Sequence, residues 1–136
     1  MVSLFKKSLS GALQQKVYIL RRREMWEEKL NEIDMSLVKG EAHEYWMQQL
    51  NALQSHGENI GKMEEVEDQR KQFGFLSEAL INSIEAFGTL GKALYVQHCP
   101  MAFNNEGGDW LALEEQIQNP YFGDKMMKCG LVKATY

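Results

Sequence analysis

The run HCPM at 98–101 places an imidazole, a thiol and a thioether within four residues, and MMKC at 126–129 repeats the sulfur part of that set. Cysteine occurs only twice in 136 residues, each time close to methionine. Thiolate and thioether are soft donors that select Cu(I), or its heavier relative Ag(I), over hard cations, and imidazole adds a borderline donor. Residues two apart in extended chain emerge on one face. Cys99 and Met101 stand in that relation, and so do Met127 and Cys129. If the two segments pair, four sulfurs converge. The candidate ligands are therefore His98, Cys99, Met101, Met126, Met127 and Cys129.

Blander chemistry competes for the same residues. Cys99 and Cys129 could close a disulfide loop of roughly thirty residues in an oxidising compartment, stabilising the fold by about 2–4 kcal/mol. The thiols could also be inert and buried, with Met126 and Met127 as filler beside Tyr121 and Phe122. A zinc site fits less well, because there is no CxxC or HExxH, and HEYWM at 43–47 lacks the second histidine of such a motif. His43 and Met47, four apart on a helix, read as flanks of the Trp46 stripe, and His56 beside Gly57 reads as a helix-end residue. No Ser/His/Asp pattern, GxGxxG or P-loop is present, and GTLG at 88–91 has no Lys-Ser/Thr behind it. His98 is also badly placed as a base for Cys99, since neighbours on a strand face opposite ways. The chain does not read as an enzyme.

The elements that must position these residues are mostly helical. Phe5, Leu9, Leu13, Val17 and Leu20 recur at helical spacing. A second stripe, Trp26, Leu30, Ile33 and Leu37, is out of phase with it, so 1–37 forms one helix with two faces or two helices joined by a turn near 21–25. A continuous helix would favour a homodimer through the N-terminal segment. Ala42, Trp46, Leu50 and Leu53 mark a third segment ending at Gly57. A fourth begins near Met63 with acidic residues suited to the helix dipole, continues through Phe73, Leu76, Leu80, Ile84 and Phe87, and stops at FGTLG. The expected fold is all-α, an antiparallel four-helix bundle over about 3–91 in a single domain. An irregular C-terminal cap over about 92–136 has room for a short β-hairpin, and Asp109 could cap a short helix in WLALEEQIQ at 110–118.

With 44% hydrophobic and 25% charged residues the composition is globular. A net charge of −4 argues against a general nucleic-acid binder, and Lys6-Lys7 with Arg21-Arg22-Arg23 reads as a solvated face. No apolar run approaches the roughly 20 residues of a membrane span. No intact signal peptide opens the sequence, so the protein is expected to be cytosolic or a mature fragment.

Two separated motifs, HCPMAFNNEGGDWL and IQNPYFGDKMMKCGLV, resemble a bacterial domain-of-unknown-function family with an HCPMA segment and an NPYFG-x-x-M-x-x-CG ending. The upstream run DMSLVKGEAHEYWMQQL at 34–50 is similar to the same family, so the resemblance spans about 30–134. It implies a small exported protein, or an appendage of the periplasmic adaptor subunits of copper/silver-type efflux pumps. That expectation places the chain in the periplasm, its signal peptide absent from this sequence. By matching positions it also points to His98, Cys99, Met101, Met126 and Cys129, with Met127 as a neighbouring sulfur and Asn119–Phe122 as scaffold. Two functions follow as expectations. One is a Cu(I)/Ag(I) handling protein that passes its ion to an efflux adaptor. The other is a metal-free interaction module whose cap is closed by a Cys99–Cys129 disulfide.

Overall fold

A computed structural model describes residues 24–89 and 91–136. The stripe over 3–20, the basic cluster and the question of one helix or two across 1–37 lie wholly or partly outside the described residues. So does the proposed dimer contact of the N-terminal segment. Residues 24–31 are helical (α1), and a 3-10 turn follows at Met35–Leu37. The second stripe breaks here because Asp34 Oδ1 accepts from the backbone N–H of Ser36 at 2.9 Å and from its hydroxyl at 2.7 Å. Such local side-chain bonds favour turns over helix. Trp26 and Leu30 still reach the core, while Leu37 is 78% exposed.

Two long helices form the main layer, α2 (Glu41–Lys62) and α3 (Val66–Phe87). Each carries acidic residues in its first turn, Glu41 and Glu44 in α2 and Glu67 and Asp68 in α3, where the helix dipole favours them. Contacts of Trp46 with Phe87, Gln49 with Asn82, and His56 with Gln72 run in opposite chain directions, so the pair is an antiparallel hairpin. Gly88 ends α3 at φ 80°, its N–H bonded to Ile84 O at 2.8 Å. Leu30, Leu50, Leu53, Leu76 and Ala79 form the core between helices, with Trp26 and Trp46 packed against it. Each fully buried leucine contributes about 1.5–3 kcal/mol.

Gly57 does not stop α2, as its type suggests it should. A Cβ there would meet Trp26 Nε1 at 2.8 Å, so the glycine is a seat for the indole of α1. His56 is accordingly inside the helix. Its Nδ1 lies 2.7 Å from Gln72 Oε1, and its ring stacks on Phe75.

The all-α expectation is wrong for the C-terminal third. Strands β1 (Tyr95–Cys99), β2 (Gly108–Ala112) and β3 (Leu131–Thr135) form an antiparallel sheet in the order β2-β1-β3. This is a structural layer and not an irregular cap with a hairpin. The β1–β2 register runs from Tyr95↔Ala112 to Cys99↔Gly108, so 109–112, the start of the segment read as a capped helix, are instead the partner strand, and 113–118 are bends and coil. Leucine, alanine and glutamate in 111–115 suit a helix, but β1 offers two edges and both are filled. A bulge in β3 opposite Val96/Gln97 leaves Lys133 without a β1 partner. Helix α3 packs on β2, with the rings of Phe73 and Tyr121 in tilted contact between the layers, centroids 5.9 Å apart.

Candidate functional site

Cys99 ends β1, because Pro100 has no N–H to continue the ladder. The chain then turns, and the N–H groups of Met101 and Ala102 point back at the Cys99 sulfur. The next four residues form one helical turn, α4 (Ala102–Asn105), with φ of 53° at Phe103 and 56° at Asn104. A bulky residue seldom adopts that left-handed region. Here it places the Phe103 ring against Tyr121, centroids 4.8 Å apart, and over Gly74 of α3, where a Cβ would come within 3.0 Å.

The second thiol is positioned by Asn119, whose side chain is almost wholly buried. Its Nδ2 donates to Cys129 O at 2.8 Å, and its Oδ1 accepts from Tyr121 N at 2.8 Å and Phe122 N at 3.3 Å. Gly130 follows at φ 145°, and a Cβ there would strike the backbone carbonyl of His98 at 2.9 Å. Only glycine lets the two motif strands approach this closely.

The outcome is a contact between the two sulfurs. Cys99 Sγ and Cys129 Sγ lie 3.6 Å apart and are not bonded to each other. Cys99 is fully buried among Ala102, Trp110 and Tyr121, whereas Cys129 is partly exposed. Burial opposes ionisation of Cys99, but the Met101 N–H, the Asn119 amide, the Cys129 thiol and the Ala102 N–H outweigh it and hold its pKa below the ordinary thiol value. Cys129 is pushed up, first by its hydrogen bond to Cys99, then by burial and by the Cys99 charge. When the pair loses one proton, Cys99 is the sulfur that holds the charge and Cys129 the donor to it.

His98 points to the other side of β1. Its Nδ1 lies 2.5 Å from Asp109 Oδ1, and Lys133 Nζ reaches Asp109 Oδ2 at 2.9 Å, so one carboxylate ties all three strands. Burial works against ionising Asp109, but the hydrogen bonds and charges of Lys133 and His98 prevail and lower its pKa. The Tyr121 hydroxyl donates to Asp109 O from the sulfur side. Burial chiefly pushes its pKa up to about 12. A cleft of about 1130 Å³ opens between α3 and the His98 face, with Arg70, Glu78, Met101 and Lys133 in its walls.

Of the six expected ligands, the fold brings the two thiols into contact and turns His98 away to Asp109. Met101 is 47% and Met127 38% exposed, Met126 is half-buried, and none is among the partly buried side chains packed round the thiols. The extended spacing expected of Cys99/Met101 and Met127/Cys129 is absent, because Met101 and Met127 sit in turns. Among the described residues no three His, Cys, Asp or Glu side chains converge as a metal-binding group. Asn119, read from its type as turn scaffold, also holds both thiol segments, and Asp109 anchors strands where a helix cap was expected. The Asn-Pro pair signalled the turn; nothing local signalled the amide's reach to Cys99.

A family model described as Protein of unknown function (DUF3347) matches residues 23–92, the span of α1, α2 and α3 and just over half of the chain. No curated protein and no solved structure matches the chain.

Proposed function

The chain belongs to the DUF3347 family of proteins of unknown function, and from that premise we propose a soft-metal binding protein that holds Cu(I) or Ag(I) between Cys99 and Cys129. The observation that carries this reading is the approach of two unbonded sulfurs to 3.6 Å at the junction of two motif segments. A soft monovalent ion is satisfied by few, polarisable donors, and two thiolates are the donors such an ion prefers. The N–H groups around Cys99 favour its ionised form, which is the form that binds metal. Zinc is a poorer fit, since a structural site needs four ligands and the described His, Cys, Asp and Glu side chains supply two here.

The thioethers of Met101, Met126 and Met127 flank the pair in sequence and are the proposed auxiliary donors. His98 is engaged by Asp109 and acts as scaffold in this reading. The HCPMA and NPYFG-x-x-M-x-x-CG motifs resemble small exported proteins and appendages of periplasmic efflux adaptors. That likeness supports a periplasmic setting, with an efflux adaptor as the acceptor of the ion. Binding and delivery, not catalysis, is the proposed activity. No described helix is long and apolar enough to cross a membrane.

The test is a competition. Protein reduced without oxygen is titrated with Cu(I) against a chromophoric chelator, beside Cys99→Ser and Cys129→Ser. One ion held per wild-type chain and lost in either variant is the expected result. A wild type that competes no better than the serine variants removes the metal reading. The same sulfur contact then supports the second reading, a disulfide-closed cap on an interaction module.

A further inference from the structure

The two thiols differ in one respect that neither the metal reading nor the motif resemblance uses. Cys99 has no exposed surface, while Cys129 is partly exposed and 3.6 Å away. A reagent arriving from solvent therefore meets one sulfur and not the other. We propose that the pair is a directional dithiol for small-molecule disulfides, with Cys129 as the entry thiol and Cys99 as the resolving thiol.

Access and not acidity decides the order: Cys129 is the sulfur that solvent reaches, although its pKa is raised, and Cys99 lies 3.6 Å behind it. Thiol–disulfide exchange proceeds by thiolate attack through a mixed disulfide. In the first step the Cys129 thiol loses its proton to solvent, and its sulfur attacks one sulfur of glutathione disulfide. The S–S bond of the reagent breaks, one glutathione thiolate leaves, and Cys129 carries the other glutathionyl group. In the second step Cys99 gives up its proton to solvent, its sulfur attacks Cys129 Sγ and expels the second glutathione thiolate, and the two departed thiolates take up the two protons released. The two protein thiols lose two electrons, one glutathione disulfide becomes two glutathiones, and the Cys99–Cys129 bond forms. A disulfide needs about 2.05 Å between sulfurs, so the pair must close by roughly 1.5 Å. Both cysteines border turns and not element interiors: Pro100–Met101 on one side, residues 126–128 on the other. Asn119 already bonds the Cys129 carbonyl at 2.8 Å and keeps the second turn in place after the first step.

This exchange requires no metal, so it is measured on chelator-treated protein and stands or falls separately from the Cu(I) titration. Reduced wild type is exposed to glutathione disulfide, quenched with acid at intervals and followed by intact and peptide mass spectrometry. The expected course is a transient glutathionyl group on the Cys129 peptide, then a final product two hydrogens lighter that carries no glutathione. Cys99→Ser should stop at the Cys129 adduct. Cys129→Ser should react at least about tenfold more slowly, since attack at Cys99 waits on local opening. Early adduct on the Cys99 peptide of the wild type overturns the proposal, and so does a wild type that keeps its glutathione. The wild-type peptide map needs no variant, so a serine variant that fails to fold leaves the test decisive.

Discussion

Asp109 meets His98 at 2.5 Å and Lys133 at 2.9 Å, and its backbone carbonyl also accepts from Tyr121. It therefore couples the three strands on one face to the thiol cluster on the other. Because its folded pKa is depressed, its contribution to stability is full above the unfolded carboxylate range and is lost as pH falls through the folded value. Glu85 of α3 acts on the same network through Lys133. Replacement Asp109→Asn should cost about 1 kcal/mol at neutral pH, the pair being partly solvent-screened. That difference should shrink as the pH drops below about 4. Urea melts of both proteins across the acid range would read it, and a gap that stays constant with pH would show that the charge contributes nothing. The His98–Asp109 contact was not legible in sequence: eleven residues separate the pair, and only the β1–β2 register sets them opposite.

At the scale of elements, β1 is the organising piece, and Gln97 is its least obvious residue. It has no exposed surface, accepts from Trp110 Nε1 at 2.8 Å, and donates to the carbonyls of Glu114, Glu115 and Gln116 at 2.9–3.3 Å. The amide thus folds the chain after β2 back over the sheet, where a helix was expected from composition. A buried polar group left without partners costs about 1–3 kcal/mol. Gln97→Ala should lower stability by about that amount and alter the near-ultraviolet signal of Trp110, because the indole N–H loses its acceptor. An unchanged denaturation midpoint would mean that water replaces the amide. Helix α3, by contrast, was legible almost to its ends. Its apolar spacing, acidic first turn and terminal Gly88 all act within the segment, so no distant partner had to be known.

For the whole molecule, the junction between helical and sheet layers matters most. Gly74 of α3 faces Phe103, and Tyr121 meets Phe73 at a tilt and Phe103 and Trp110 edge to face. The left-handed residues of α4 are held by this packing, and α4 follows the turn whose N–H groups face Cys99. Gly74→Val would press into the Phe103 ring and should destabilise the protein by about 1–3 kcal/mol, as overpacking generally does. It should also weaken Cu(I) binding in the proposed site, although residue 74 lies far from either cysteine in sequence. Equal Cu(I) affinity in the folded variant would separate the thiol pair from the layer junction.

By itself the sequence determined what depends on neighbours along the chain. The two long helices follow from apolar period, the ends of α3 from its acidic first turn and Gly88, and the soft-donor character of HCPM and KCG from side-chain chemistry. Tertiary structure decided what depends on partners far apart. Strand β2 was drawn partly from residues with helical composition, because the edges of β1 offer hydrogen bonds. Gly57 became a seat for Trp26 and not a stop. The six candidate donors separated into two sulfurs in contact, a histidine claimed by Asp109 and three methionines outside the packed cluster. Strand alternation and turn geometry made that division, and they are fixed only once β1 has its partners.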